Sequence, residues 1–296
     1  MISAGCYAKL PLVAFMFFML MISACDAADD RLRIATTTSL YDTKLLDTLE
    51  SRFEEKYGKE VDIISGGTGF ALEQGRRGDV DLLLVHDKER EMEFIAEGYG
   101  TERRCFAYNY FYILGPADDP AGVKGMNASG AFRRIADAGE RDPDVRFVSR
   151  GDNSGTHARE RLLWKSAGIE PAGRWYLESG QGMGATLIMA DEKRAYTLTD
   201  MSTYMAFAGN LSLVPLVIEG EELLNVYAAI PVSASKHLDL AENFVEFLLS
   251  REGQDIIAGY GKDSYGRAMF YPASGHCAEI GCNASECAGE MVSAVG

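Results

Sequence analysis

Short aliphatic runs that break directly into hydroxyl- or glycine-rich turns, each followed by a helical pattern, recur through the first third of this chain. Residues 32–35 read as a strand and pass straight into Thr36-Thr37-Thr38-Ser39. A helix over residues 40–57 follows, with apolar positions at Leu45, Leu46, Leu49 and Phe53. Residues 61–64 form a second strand, and Ser65-Gly66-Gly67-Thr68-Gly69 opens a helix through Gln74 and Arg77. Residues 80–85 are a third strand, aliphatic apart from Asp81. Parallel strands need crossover helices, so this rhythm predicts an α/β fold with parallel-type sheets and flanking helices on both faces. Ligands in such sheets sit outside the carboxyl ends of the strands, where the helices begin.

With 296 residues, 47% of them hydrophobic, the chain can bury more than one core. Residues 106–114, a β-prone stretch ending at Gly115-Pro116, are expected to carry it into a second lobe. The rhythm restarts there with a helix over 131–138, a strand over 145–148 and a helix over 154–167. A helix over 182–190, a strand over 194–198 and a helix over 200–207 come next. Residues 213–217 and 226–230 are expected to return the chain to the first lobe, ahead of helices over 240–249 and 253–260. The expected domains are therefore 32–110 with 213–272, and 111–212. Residues 273–296 are small, polar and cysteine-bearing, and read as an appended tail.

The turns carry the chemistry. A helix start offers unsatisfied N–H groups and a positive dipole end, a ready anion site. One N-cap needs one hydroxyl residue, and Thr36 to Ser39 supplies four. Gly66-Gly67-Thr68-Gly69 adds glycines that let backbone approach a ligand closely. Ser149-Arg150-Gly151-Asp152-Asn153-Ser154-Gly155-Thr156-His157 is the strongest signal: Arg150 brings a permanent charge on a planar fork of donors. Asp152 is expected to orient Arg150, because a bare carboxylate repels a dianion. His157 reads as a packed or exposed residue rather than a catalytic one, and Tyr196-Thr197-Leu198-Thr199-Asp200 as a fourth wall with Asp200 a candidate cap. Gly180-Gln181-Gly182-Met183-Gly184 lacks the spacing of a nucleotide fingerprint. No nucleophile–base pair or metal-ligand spacing accompanies these turns, so the chain reads as holding an oxyanion rather than transforming one.

The amino end reads as an export signal, residues 1–24: Lys9, an apolar run over 10–22, then Ile22-Ser23-Ala24-Cys25. That box predicts an extracytoplasmic lipoprotein anchored through Cys25, with residues 25–31 as an acidic linker. Loss of Lys9 takes the formal charge from −15 to −16, which argues against nucleic acid and anionic membrane surfaces as partners. Of six cysteines, Cys6 lies in the signal and Cys25 at the anchor. Cys105, Cys277, Cys282 and Cys287 remain, an even set in an exported chain, with disulfides the expected use. A bridge from Cys105 to one of the three tail cysteines is expected; a zinc site with His276 fits the spacing poorly.

At these residues the chain resembles the substrate-binding proteins of tungstate-uptake ABC transporters, within the oxyanion-binding proteins of the periplasmic type. The resemblance is carried by Ala35-Thr36-Thr37-Thr38-Ser39, Gly66-Gly67-Thr68-Gly69, Ser149 to His157 and Ala195-Tyr196-Thr197-Leu198-Thr199-Asp200, and it spans residues 32–272. Met201-Ser202 stands where the family has Arg-Gly. The resemblance implies a two-lobed, periplasmic-binding-protein-like fold of type II, hinged and closing over one tetrahedral dianion, tungstate or molybdate. The implied contacts are Thr37, Thr38, Ser39, Gly67, Thr68, Arg150, Ser154, Gly155 and Thr156, with no cofactor or metal. Five or six bonds to a charged partner, at roughly 1.5–3 kcal/mol each, amount to about 8–18 kcal/mol, against about 12 for nanomolar binding. The resemblance also implies a monomer serving an ABC permease, touching the membrane only through its anchor. The alternatives are a phosphate-binding protein, which shares the Arg-x-Asp-x-Ser-Gly-Thr loop, and a phosphate-ester enzyme, for which no metal cluster or nucleophile is evident.

Overall fold

The computed structural model describes residues 31–287. The signal segment, Lys9, Cys25 and the last residues of the tail, 288–296, lie outside the described residues. Among the described residues, no helix is long and apolar enough to cross a membrane.

Strand β1 (Leu32–Thr37) lies between β2 (Val61–Gly66) and β3 (Leu82–Val85), parallel to both. The long strand β4 (Arg104–Gly115) leads to β5 (Phe147–Ser149), β6 (Tyr176–Glu178) and β7 (Tyr196–Asp200), where β5 pairs parallel with both β6 and β7. Three strands complete the sheet: β8 (Val214–Val217), β9 (Leu224–Pro231) and β10 (Tyr271–Pro272). The order is β2-β1-β3-β9-β4-β7-β5-β6, with β8 and β10 also paired to β4. The α/β reading holds, but parallel pairing is confined to the outer strands. β9 is antiparallel to both β3 and β4, and β4 is antiparallel to β7. The sheet is mixed because β4 carries the chain across its middle and β9 brings it back, so the two must run in opposite directions.

Two corrections concern single elements. The helix expected over residues 40–57 is two, Thr38–Asp42 and Leu45–Tyr57. The break is chemical: the Thr43 hydroxyl donates to the Leu40 carbonyl at 2.7 Å, and Lys44 takes a left-handed φ of 65°. Residues 213–217 do not return the chain to the first sheet half. β8 pairs instead with Ile113 to Gly115 at the far end of β4, and the return is made by β9.

Apolar faces of the helices cover the sheet. Phe53, Leu46, Phe106, Tyr227, Phe244 and Phe247 are fully buried in one cluster, with the Phe53 and Phe244 rings 4.8 Å apart. Phe132, Phe147, Trp164 and Tyr196 anchor another, with Phe132 edge-on to Trp164 at 4.4 Å. Burial of each such side chain is worth about 1.5–3 kcal/mol, which fixes the strands that present the turns. The tail packs rather than hanging free: Ile280, Cys282 and Cys287 are buried with Cys105 and Ala273. Cys105 is bonded to Cys282 and Cys277 to Cys287. The expected bridge from Cys105 is present, and its partner is the middle tail cysteine.

Candidate oxyanion-binding site

Because β1, β2 and β3 are parallel neighbours, their carboxyl ends align, with Thr37 opposite Gly66 and Thr36 opposite Leu84. Each end runs into a helix start. Thr36 does not face a ligand: its hydroxyl donates to the Leu84 carbonyl at 2.8 Å and ties β1 to β3. Thr37 is the N-cap of the helix Thr38–Asp42, its Oγ1 accepting from the Leu40 N–H at 3.4 Å. Its hydroxyl also lies 3.3 Å from Ser39 Oγ, which in turn lies 3.2 Å from His86 Nε2. Thr38 is half-buried at the first helical position. After β2, Gly67 caps the helix Thr68–Arg77 with no side chain of its own. Its φ of −72° suits any residue, so glycine is not needed there for conformation; what it leaves is open space beside the turn.

In the other half of the sheet, β5 is followed directly by Arg150, which is 4% exposed. Arg150 Nη2 donates to Asp152 Oδ2 at 2.5 Å, while Asp152 Oδ1 accepts from the Ser154 N–H at 3.1 Å. Asp152 thus has both oxygens engaged, one orienting the guanidinium and one starting the next helix. Ser154 caps that helix, Gly155–Ala167, by accepting from the His157 N–H. His157 Nδ1 accepts from the Asn153 N–H at 3.0 Å, and burial holds its pKa below the usual range against the opposing pull of Asp152. His157 fixes the loop, in keeping with a packing role.

The two groups of turns meet at His86. A Cβ on Gly155 would come within 2.9 Å of the His86 ring, whose Nε2 reaches Ser39, so glycine at 155 is what admits the ring. Desolvation raises the Asp42 carboxyl, opposed by Lys44 and Arg150 and reinforced by Asp200, which places charges from both halves around one point. Among the described residues, Thr68 Oγ1, Arg150 Nε and Thr156 Oγ1 are buried with no hydrogen-bond partner. Each such atom costs about 1–3 kcal/mol unless something pairs with it. All three belong to the strand-to-helix turns singled out from the sequence, and they come from both halves of the sheet.

The fourth expected wall faces elsewhere. Tyr196 donates to Asp119 at 2.8 Å, and the Thr197 hydroxyl donates to the Val148 carbonyl at 2.8 Å, so both serve the core. Asp200 is the cap expected of it, accepting from the Thr203 N–H at 2.9 Å and from the Ser202 hydroxyl. Ser202, in the pair that departs from the family pattern, joins a buried polar chain running through Asn109 and Asn225 to His86. Sequence reasoning missed His86, Asn109 and Asn225. A signal existed for His86, which stands at the carboxyl end of a third parallel strand.

Comparison with known proteins agrees with the geometry. The PBP superfamily domain is matched over residues 23–252. The tungstate-binding protein TupA of Peptoclostridium acidaminophilum is 42% identical over 246 residues, covering 81% of this chain and 84% of that protein. The tungstate ABC transporter structure from Geobacter sulfurreducens is 44% identical, with a TM-score of 0.70 over 79% of this chain and all of that one. The tungstate-binding protein TupA from Desulfovibrio alaskensis G20 is 43% identical, with a TM-score of 0.70 over 82% of this chain and 98% of that one.

Proposed function

This chain belongs to the tungstate-binding family of the PBP superfamily, and we propose that it captures tungstate or molybdate outside the cytoplasm and delivers it to an ABC import permease. One observation carries the proposal: among the described residues, three buried polar atoms, Thr68 Oγ1, Arg150 Nε and Thr156 Oγ1, have no hydrogen-bond partner and stand at strand-to-helix turns from both halves of the sheet, two of which, at Ser39 and Gly155, meet at His86. A tetrahedral dianion accepts hydrogen bonds on every side, so it satisfies groups arriving from several directions. In this reading Thr37, Thr38, Ser39, Gly67, Thr68, Arg150, Ser154, Gly155 and Thr156 surround the anion. The lobes on either side of β4 and β9 close over it, and the protein works as a monomer. Its chemistry is binding; the turns supply donors, and bound oxygen atoms leave unchanged.

Phosphate is the second reading. A protonated phosphate needs an acceptor, and each Asp152 oxygen already holds one donor, Arg150 on one and the Ser154 N–H on the other, so Asp152 is a committed rather than a bare acceptor. Asp87, next to His86, favours the second reading, because its Oδ2 is buried without a partner. A competition titration on the purified mature protein separates the two. Tungstate and molybdate are expected to bind with similar affinity, and sulfate and phosphate at least about a hundredfold more weakly, roughly 2.7 kcal/mol. Phosphate binding tighter than tungstate would sink the proposal. We also assign Cys25 as a lipid anchor on the strength of Ile22-Ser23-Ala24-Cys25; intact mass of the same preparation tests it, and an unmodified cysteine refutes it.

A further inference from the structure

The buried polar chain behind Ser39 fixes where protons lie. Asn109 Nδ2 faces the Met269 carbonyl at 3.4 Å, and a carbonyl only accepts. The same Nδ2 donates to Ser202 Oγ at 3.4 Å, whose own proton goes to the Asp200 carboxylate. Both ends therefore set the Asn109 amide, leaving its Oδ1 to accept from Asn225 Nδ2 at 2.8 Å. Asn225 Nδ2 also donates to the Tyr227 hydroxyl at 2.9 Å, so Asn225 presents Oδ1 to His86 Nδ1 at 2.9 Å. An amide oxygen only accepts, so Nδ1 carries the ring proton.

In the neutral ring Nε2 is then bare, and at 3.2 Å it takes the single proton of Ser39 Oγ. A serine whose proton points at a histidine offers an oxyanion only lone pairs. Ser39, a donor in the reading above, cannot donate while His86 is neutral. Protonating Nε2 reverses this: the ring donates to Ser39 Oγ, and the serine proton is freed to turn.

We propose that His86 is a positioning residue for the bound oxyanion, taking up one proton from solvent at Nε2 as the anion binds and thereby turning the Ser39 hydroxyl toward it. The inference rests on the anion-binding reading above. No other bond forms or breaks; the proton comes from water or buffer and returns on release. The surroundings suit a ring that charges only with its ligand. Burial holds the free ring neutral by lowering its pKa, with Asp200 and Asp87 acting against it and Arg150 with it. Tyr227 and Phe111 pack on the ring at centroid distances of 5.0 and 6.4 Å, and the Tyr227 hydroxyl stays neutral, its pKa raised by burial. Lys88, Arg103, Arg159, Glu221 and Glu279 line a cavity of about 240 Å³ that also touches His86; Arg103 there is paired with Glu91 and Glu286. A dianion arriving beside Arg150 adds negative charge and tips the ring to imidazolium.

The test is calorimetry of tungstate binding to the full mature protein in buffers of different protonation enthalpy, from about pH 6.5 to about pH 9. Near neutral pH, uptake close to one proton per tungstate is expected, with affinity rising up to about tenfold for each pH unit lowered. Ser39→Ala should bind more weakly yet still take up a proton, because the anion's charge acts on the ring directly, and His86→Gln should bind without proton uptake and with a flat pH profile. Nitrogen-15 NMR of the ring should show a neutral Nδ1–H imidazole without tungstate and a doubly protonated one with it. Tungstate binding with no proton uptake at any pH overturns the proposal and leaves the anion reading standing, as does uptake unchanged in His86→Gln. A wild-type protein that binds no tungstate overturns both.

Discussion

Replacing Arg150 with alanine should weaken tungstate binding at least about thirtyfold, a loss of about 2–5 kcal/mol. The guanidinium is 4% exposed and already held by Asp152 at 2.5 Å, so little of its freedom remains to be lost on binding. Its Nε has no partner among the described residues, which leaves a donor available to a ligand. Alanine removes that donor, and leaves the bound anion and the half-buried Asp152 without their counterion. Lysine should recover only part of the loss, because a point charge cannot reproduce the planar fork that serves Asp152 and the anion together. Isothermal titration with tungstate for the three proteins decides it. Equal affinities for wild type and Arg150→Ala would show that the Arg150–Asp152 pair serves only to shape its loop.

The double substitution Cys105→Ala/Cys282→Ala should lower the free energy of unfolding by about 2–4 kcal/mol and leave tungstate affinity within about threefold. The bond joins residues 177 apart in sequence, so it removes a large loop from the unfolded ensemble. It also holds Ile280 and Ala273 against β4, within a small cluster that has few other apolar members. Neither cysteine belongs to the turns proposed to hold the anion, which is why affinity should survive. Denaturant titrations of both proteins under oxidising conditions measure the difference; coincident midpoints would mean that the bond constrains nothing.

Much of the proposed anion site could be drawn from the sequence because its candidate donors sit on a local pattern. An aliphatic run followed by hydroxyl or glycine residues defines a strand end and a helix start within a few positions, as at Thr37, Thr68 and Arg150. Direction of strands was not legible in the same way. Apolar periodicity reports which faces are buried and says nothing of whether neighbours run parallel, so the antiparallel middle of the sheet and the pairing of β8 with Gly115 emerged only from the fold. The break at Thr43 was hidden because a hydroxyl bonding its own turn and one non-glycine residue at positive φ leave no mark on hydropathy. His86, Asn109 and Asn225 lie far apart in sequence, and only the pairing of β3, β9 and β4 makes them neighbours. The tail misled by composition: its small polar residues hide a few buried groups held by disulfides and by Arg103, which donates to Glu286 at 3.1 Å.

The placement of β9 between β3 and β4 also sets an order of assembly. Residues 111–223 are contiguous and make their own strand pairs and aromatic cluster, so this half can organise while the ribosome is still adding the rest of the chain. The first-made residues have no such independence. Leu82–Val85 has β1 on one side and β9 on the other, and β9 is translated after the whole second half. Until Leu224–Pro231 exists, the oldest part of the chain keeps an unpaired, wholly aliphatic strand edge, the kind of edge that recruits other chains. The amino-terminal half is therefore synthesised first and completed last, and it needs shielding for most of the time between.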